Sequence, residues 1–94
     1  MTALTKEQSR AARALIDWSQ LQLAQAANLG ESTVRDFEKG RRVPSINNLA
    51  AIRAALEAAG VDFIDQNGMG PGVRLRDRIE PKAPATDLAA GDGQ

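Results

Sequence analysis

The sequence predicts a mostly α fold of four short helices, followed by a β-hairpin and a disordered tail. Through the first 60 residues, apolar side chains recur at helical spacing and capping residues separate the apolar segments. Two alternating segments, 61–65 and 72–76, then lie on either side of a turn-rich segment. Residues 77–94 contain no aromatic residue and few apolar residues other than alanine, a composition typical of disorder.

The composition excludes several classes of function. The 94 residues include no Cys and no His, which removes disulfides, thiol nucleophiles and the usual zinc ligands, and no cofactor or metal site is expected. No apolar segment approaches the roughly 20 residues of a membrane helix, and the N-terminus lacks an apolar signal segment. We therefore expect a cytoplasmic protein.

The charge is balanced over the whole chain but not along it. Net charge is zero, yet residues 1–60 contain eight basic and six acidic side chains, whereas residues 61–94 contain four basic and six acidic ones. Local charge governs contact with a phosphate backbone more than the total does. The cationic excess lies in the helical part.

Capping residues mark the first helix. Thr5 and Gln8 have the spacing of a capping box, which predicts a helix over about 6–17. Trp18 follows, and we interpret it as a core or hinge residue, with base stacking as the alternative.

The second helix begins with another capping box and ends at a turn. Ser19 is followed by Gln at the third helical position, and Asn28 suits the left-handed conformation after a helix that ends near 27. We expect Leu21 and Ala24 to face inward, with Leu23 as a further candidate.

The third and fourth helices complete the helical part. Gly30 precedes a helix over 31–39 that Gly40 ends, with Val34 and Phe37 directed to the core. A fourth helix begins after Ser45 and runs to about 59. One apolar stripe on it, a candidate for core or dimer surface, consists of Ile46, Leu49, Ile52 and Leu56.

The hairpin predicted over 61–76 would be marginal in isolation. It should pack on the helices, or its edge should pair with a second chain. We therefore divide the chain into a helical domain at 1–60, a packing or dimerisation hairpin at 61–76, and a disordered tail at 77–94.

The second and third helices have the features of a helix-turn-helix. Ala24 is small enough for a close helix crossing, and Asn28 accepts positive φ in the turn. Leu29, Val34 and Phe37 would anchor the second helix of this pair, so that its outer face could enter the DNA major groove.

Residues 10–56 resemble the helix-turn-helix domain of phage Cro and lambda-type repressors, the XRE family. The resemblance depends on residues in order and at family spacing: Trp18-Ser-Gln20, Leu23-Ala24, Ser32-Thr-Val34, Phe37-Glu38, Gly40 and Pro44-Ser45. The segments VDFID and GPGVRLR are similar to a bacterial subgroup in which a hairpin replaces the fifth helix. The resemblance implies a four-helix repressor-like domain that binds double-stranded DNA.

The resemblance also implies roles for individual residues. Base contacts are expected from Glu31, Ser32 and Asp36, and Arg35 on the flank of the same helix is the expected positively charged base reader. Arg13 and Glu38 match a structural ion pair. Phosphate contacts are expected from Ser19, Gln20, Thr33, Lys39, Gly40, Arg41 and Arg42.

Some of these positions have a purely structural alternative. Ser32 and Thr33 could be ordinary residues of a first helical turn, Gln20 could only start a helix, and Arg41 and Arg42 could belong to a solvated loop. Gly30 departs from the Ser or Thr that usually caps this helix in the family, and the base-facing set contains two acids.

The leading functional hypothesis is a sequence-specific transcriptional regulator, a repressor more than an activator, that binds a two-fold operator as a homodimer. The alternative is a protein-interaction module, such as an antitoxin that contacts its partner through the hairpin or tail and also binds its own operator. An enzyme is the least supported class, because Gly68, Gly70 and Gly72 lie in a hairpin loop and do not open a helix.

Overall fold

Four helices and one antiparallel hairpin form the fold of the computed structural model, which describes residues 3–66 and 68–76. The mostly α fold with a following hairpin is therefore confirmed. The predicted disordered tail, 77–94, lies outside the described residues. The elements are α1 Lys6–Ile16, α2 Gln20–Ala27, α3 Glu31–Glu38, α4 Ile46–Ala58, β1 Val61–Ile64 and β2 Gly72–Leu75.

The capping boxes predicted for α1 and α2 are both present. Thr5 Oγ1 accepts from the Gln8 amide at 3.0 Å, and the Thr5 amide donates to Gln8 Oε1 at 3.0 Å. Ser19 and Gln22 repeat the arrangement at α2. Helix α1 ends at Ile16, one residue before the predicted end, because Asp17 adopts a left-handed conformation with φ of 59°.

The turn between α2 and α3 also follows its sequence signals. Asn28 has φ of 59°, and Gly30 is the N-cap of α3 with no side-chain hydrogen bond. Helix α3 ends at Glu38 and not at the predicted residue 39, since Lys39 is its C-cap. Gly40 then has φ of 78°, a conformation that L side chains rarely adopt.

The core lies between the helices, but α2 presents a different face to it than predicted. Leu23, Ala24 and Ala27 are buried, whereas Leu21 is 46% exposed. Leu21 lies more than ~100° around the helix from the centre of that buried face at 100° per residue, so its expected inward orientation is wrong. The core residues are Leu4, Ala12, Leu23, Ala24, Ala27, Val34, Phe37, Ile52, Leu56 and Val61.

Helix α4 contributes Ile52 and Leu56 to the core, with Leu49 partly buried against it. Ile46 is 84% exposed, so the predicted stripe does not begin there. At 100° per residue, Ile46 lies about 120° around the helix from Ile52, which places it off the inner face.

The hairpin packs on the helices, which was one of the two arrangements predicted from the sequence. Val61 is buried, and Phe63 and Val73 pack partly against the core. Its strands end one residue before the predicted bounds, at Ile64 and Leu75. Each strand residue of β1 pairs with one of β2, from Val61 with Leu75 to Ile64 with Gly72.

A candidate nucleic-acid interface

The outer face of α3 carries the four residues predicted to meet base edges. Val34 and Phe37 are buried on the opposite face and fix the rotation of the helix. Residues at i, i+1, i+4 and i+5 share one side of a helix. The four residues on this side are Glu31 and Ser32, which are exposed, and Arg35 and Asp36, which are half-buried.

Arg35 and Asp36 are close enough to interact. Arg35 Nε lies 3.8 Å from Asp36 Oδ1, and the two side chains are 43% and 31% exposed. Exposed pairs of this kind contribute at most about 1 kcal/mol. The guanidinium of Arg35 can therefore leave Asp36 for another acceptor at little cost.

The residues predicted at the start of α2 already have partners within the protein. Ser19 Oγ accepts from the Gln22 amide at 3.0 Å, and its hydroxyl proton remains available as a donor. Gln20 Nε2 donates to Glu38 Oε1 at 3.1 Å. The Gln20 side chain thus connects α2 to the end of α3, in addition to the phosphate contact predicted for it.

Glu38 is the centre of a buried polar cluster that joins three helices. Arg13 contacts it with two nitrogens, Nη2 at 2.6 Å from Oε1 and Nε at 3.0 Å from Oε2. Ser9 Oγ donates to Oε2 at 2.6 Å, and the Glu38 side chain is 1% exposed. Such a carboxylate is tolerated in the core because all its acceptor positions are occupied.

This surrounding also determines the protonation of Glu38. Burial alone would raise the pKa of this carboxyl, but hydrogen bonds from Arg13, Ser9 and Gln20, together with the charge of Arg13, hold the pKa below its ordinary value of 4.5. Glu38 is therefore ionised at neutral pH and acts as a fixed acceptor.

Helix α1 makes two further contacts that position the interface. Arg13 Nη1 donates to the Trp18 carbonyl at 3.0 Å, which holds the segment between α1 and α2. Arg10 Nη1 donates to the Glu38 carbonyl at the C-terminal end of α3. A cation at this end of a helix interacts favourably with its unpaired carbonyls. Trp18 itself packs partly buried against the core.

A concave cationic surface runs from α1 to the end of α3. Five basic and two acidic side chains surround it, together with one amide: Lys6, Arg10, Arg13, Lys39, Arg41, Glu7, Glu38 and Gln20. Sequence reasoning did not assign a role to Lys6 or Arg10. Their spacing at i and i+4, with Arg13 three residues later, places them on one face of α1 and could have indicated it.

The basic connector between α3 and α4, residues 39–42, is exposed throughout. The Arg41 amide donates to the Asp36 carbonyl at 2.9 Å, which closes the backbone around the end of α3. The Lys6 side chain lies directly over Gly40. A Cβ added at Gly40 would be 2.7 Å from Lys6 Nζ. The flexible Lys6 ammonium could move aside, so the positive φ of Gly40, and not this contact, is what favours glycine here.

Within the described residues there is no group of three or more acidic side chains placed to hold a metal ion. In the same part of the chain, no helix is long and apolar enough to cross a membrane.

A helix-turn-helix family model matches residues 10–62, more than half of the chain. The chain belongs to the XRE-type helix-turn-helix family. This is a family of DNA-binding regulators and not a known enzyme family, so the protein is a DNA-binding helix-turn-helix regulator. No curated protein matches the chain. In this helix-turn-helix regulator α2 and α3 form the motif, and both lie inside the matched range.

Proposed function

We propose that the protein is a sequence-specific repressor that inserts α3, with the following Lys39, into the major groove of double-stranded DNA. The observation that carries this proposal is the arrangement of α3: its inner face is held in the core by Val34 and Phe37, and its polar outer face is exposed or half-buried among the described residues. A helix presented in this way has the dimensions that the major groove admits.

The phosphate backbone would be held by the basic connector and by α1. Lys39 and Arg41 line the concave cationic surface together with Lys6 and Arg10. Side chains of this kind contribute affinity without reading sequence, because phosphates are the same at every base pair. Ser19, Thr33, Gly40 and Arg42 complete the predicted set of phosphate contacts, along with Gln20.

Base reading would depend on Arg35 and on the acids beside it. Arg contacts guanine O6 and N7 with two nitrogens, and a carboxylate accepts from cytosine N4. Arg35 would then read guanine while Glu31 or Asp36 reads cytosine, and Ser32 would accept either kind of partner. The expected half-site is rich in G·C base pairs, because guanine is the usual partner of Arg and cytosine N4 is the usual donor to a carboxylate.

The binding form would be a homodimer on a two-fold operator in the bacterial cytoplasm. A dimer places two copies of α3 on half-sites about 34 Å apart, or a multiple of that distance, along one side of the duplex. Occupancy would block the polymerase. Residues 1–60 would bind the DNA, and the hairpin at 61–76 would support α1 and α4.

Selection from random duplex DNA at two salt concentrations tests this proposal. The full chain should retain a subset of sequences related by a two-fold axis, with affinity falling steeply as salt rises. Retention of no duplex at low salt would show that the proposal is wrong. If duplexes are retained without sequence preference, only the base-reading role of α3 is contradicted, and DNA binding itself is not.

Two variants separate the roles of the connector and α3. The double variant Arg41→Ala, Arg42→Ala should weaken binding to all sequences alike and reduce the salt slope by about 2. Arg35→Ala should cost about 1–3 kcal/mol on the selected site and relax the preference at one base pair. An unchanged preference in Arg35→Ala would exclude Arg35 as a base reader.

A further inference from the structure

The outer side of α3 carries two acids whose surroundings differ. Asp36 Oδ1 lies 3.8 Å from Arg35 Nε. Glu31 lies one turn before Arg35, a spacing that commonly pairs an acid with an arginine, yet none of the ion pairs between described residues includes Glu31. The acid that pairs with Arg35 on this side of the helix is therefore Asp36.

Asp36 is the more firmly placed member of this pair. Its carbonyl accepts from the Arg41 amide at 2.9 Å, and the next residue, Phe37, is buried in the core. The Asp36 side chain is also the less exposed of the two, and it is shorter than that of Arg35, with less rotamer freedom to lose. Asp36 therefore limits where the Arg35 side chain can lie, and not the reverse.

The Asp36 carboxylate approaches the guanidinium of Arg35 from the Nε side. A guanidinium presents its N–H donors as a rigid planar fork, so a partner at Nε leaves the terminal nitrogens Nη1 and Nη2 for another acceptor. Guanine O6 and N7 form such an acceptor pair in the major groove. Arg35 can thus keep Asp36 and contact guanine at the same time.

The surroundings in a DNA groove favour this pair more than water does. In water an exposed ion pair is weak. The major groove excludes part of that water and lies between rows of phosphates, where an unpaired carboxylate is repelled. The positive charge of Arg35 offsets the negative charge of Asp36 as long as the two remain together, so the pair should persist on DNA.

We propose that Asp36 is a positioning residue that directs Arg35 to guanine, and that it does not itself read a base. Asp36 holds Arg35 at Nε, and Arg35 contacts guanine through Nη1 and Nη2. Glu31, which has no such partner among the described residues, then accepts from cytosine N4. This inference rests on the proposed function and assigns separate roles to the two acids that the proposed function left as alternatives.

A double-mutant cycle on the selected duplex tests this assignment. Binding of the wild type, Asp36→Ala, Arg35→Ala and the double variant is measured on the selected site and on sites with single base pairs changed. At the base pair where Arg35→Ala relaxes the preference, Asp36→Ala should reduce the preference for guanine about fivefold, which corresponds to the strength of an exposed ion pair. In the Arg35→Ala background the same substitution should not change base preference further, because Asp36 acts only through Arg35.

Two further variants separate positioning from loss of charge. Asp36→Asn keeps an acceptor for Arg35 Nε, and its guanine preference should lie between those of the wild type and Asp36→Ala. Glu31→Ala removes the same charge from the same side of α3, and it should leave the preference at the Arg35 base pair unchanged while relaxing it at another base pair. Thermal unfolding of each variant establishes that it is folded.

The outcomes distinguish this inference from the proposed function. A guanine preference that survives Asp36→Ala overturns the positioning role and leaves DNA binding intact. The inference is also overturned if Asp36→Ala relaxes the preference at a base pair that Arg35→Ala does not affect, since Asp36 would then read a base itself. Equal effects of Asp36→Ala and Glu31→Ala at the Arg35 base pair would assign the change to charge alone and overturn it as well. A wild type that retains no duplex refutes the proposed function and this inference with it.

Discussion

At the scale of single residues, Glu38 determines how α3 is held. Its carboxylate accepts from Ser9 and Arg13 on α1 and from Gln20 on α2, and the side chain is almost fully buried. Removing the charge would leave Arg13 without its bidentate partner. The orientation of α3 thus depends on one ionised side chain that would not touch DNA.

Glu38→Gln should lower the free energy of unfolding by about 3 kcal/mol, because breaking one partner of a buried ion pair leaves the other charge uncompensated. Denaturant unfolding of the two proteins measures the difference. Glu7→Gln is the matched control, since Glu7 is an exposed glutamate on α1 and should change stability by less than about 0.5 kcal/mol. Equal effects of the two substitutions would contradict the role of Glu38.

The depressed pKa of Glu38 predicts a pH dependence of stability. A carboxyl whose pKa is lower in the folded state contributes stability that is fully present above its unfolded value, near 4.5, and is lost as the pH falls through the folded pKa. Wild-type stability should therefore decrease below about pH 4.5, and Glu38→Gln should show a smaller decrease. Unfolding curves between pH 3 and pH 7 test this, and parallel pH profiles would refute it.

The Arg13–Glu38 pairing was anticipated from the sequence only through the family resemblance. The participation of Ser9 was not anticipated, since a Ser in the middle of α1 carries no local signal of a partner 29 residues away. The Gln20 contact was missed for a similar reason. Hydrogen bonds that cross between helices depend on how the helices pack, and periodicity alone does not specify that.

At the scale of elements, Gln8 joins α1 to the hairpin. Its Oε1 accepts from the Thr5 amide, and its Nε2 donates to the carbonyls of Gly72 at 3.0 Å and Ile64 at 3.4 Å. Every hydrogen of the side-chain amide is thus used. The residue caps a helix and holds the loop end of the hairpin, where Ile64 pairs with Gly72, at the same time.

Gln8→Ala should release that end of the hairpin and lower the free energy of unfolding by about 1–3 kcal/mol, since two strand carbonyls lose their donor. Relative to the wild type, hydrogen exchange in this variant should become faster for the amides of β1 and β2 and should stay the same for those of α3. Gln25→Ala, at an exposed position of α2, is the control and should leave both unchanged. Uniformly faster exchange across all helices would argue against a local role.

The sequence predicted each helix and the hairpin because their signals are local: the capping residues, Asn28 in the turn, and alternation in the strands. It did not predict the exposure of Ile46. Helix α4 has apolar side chains on more than one side, so the apolar positions alone do not indicate which of them meet the core.

At the scale of the whole molecule, the charge is zero in sum but is distributed unevenly. The cationic surface combines side chains from α1 with those of the connector after α3. The sequence predicts only part of this cationic surface. The connector appears as a basic segment, but the contribution of Lys6 depends on α1 lying beside Gly40.

Lys6→Ala should weaken binding to every duplex by a similar factor and reduce the salt slope by about 1, because one phosphate contact is lost. Base preference should not change. Arg74→Ala is the control: it removes the same charge from the hairpin, where the side chain is 69% exposed, and should leave the salt slope unchanged. Equal changes in both variants would indicate an effect of net charge alone.

The position of Gln8 beside Ser9 has a consequence for the modularity of this protein. Gln8 binds the hairpin and Ser9 binds Glu38, so a single turn of α1 contacts two parts of the molecule. Transplanting the hairpin onto another helix-turn-helix protein should succeed only where a glutamine occupies the equivalent position of the first helix. We therefore expect the hairpin to keep its position only together with α1, and not as an interchangeable appendage.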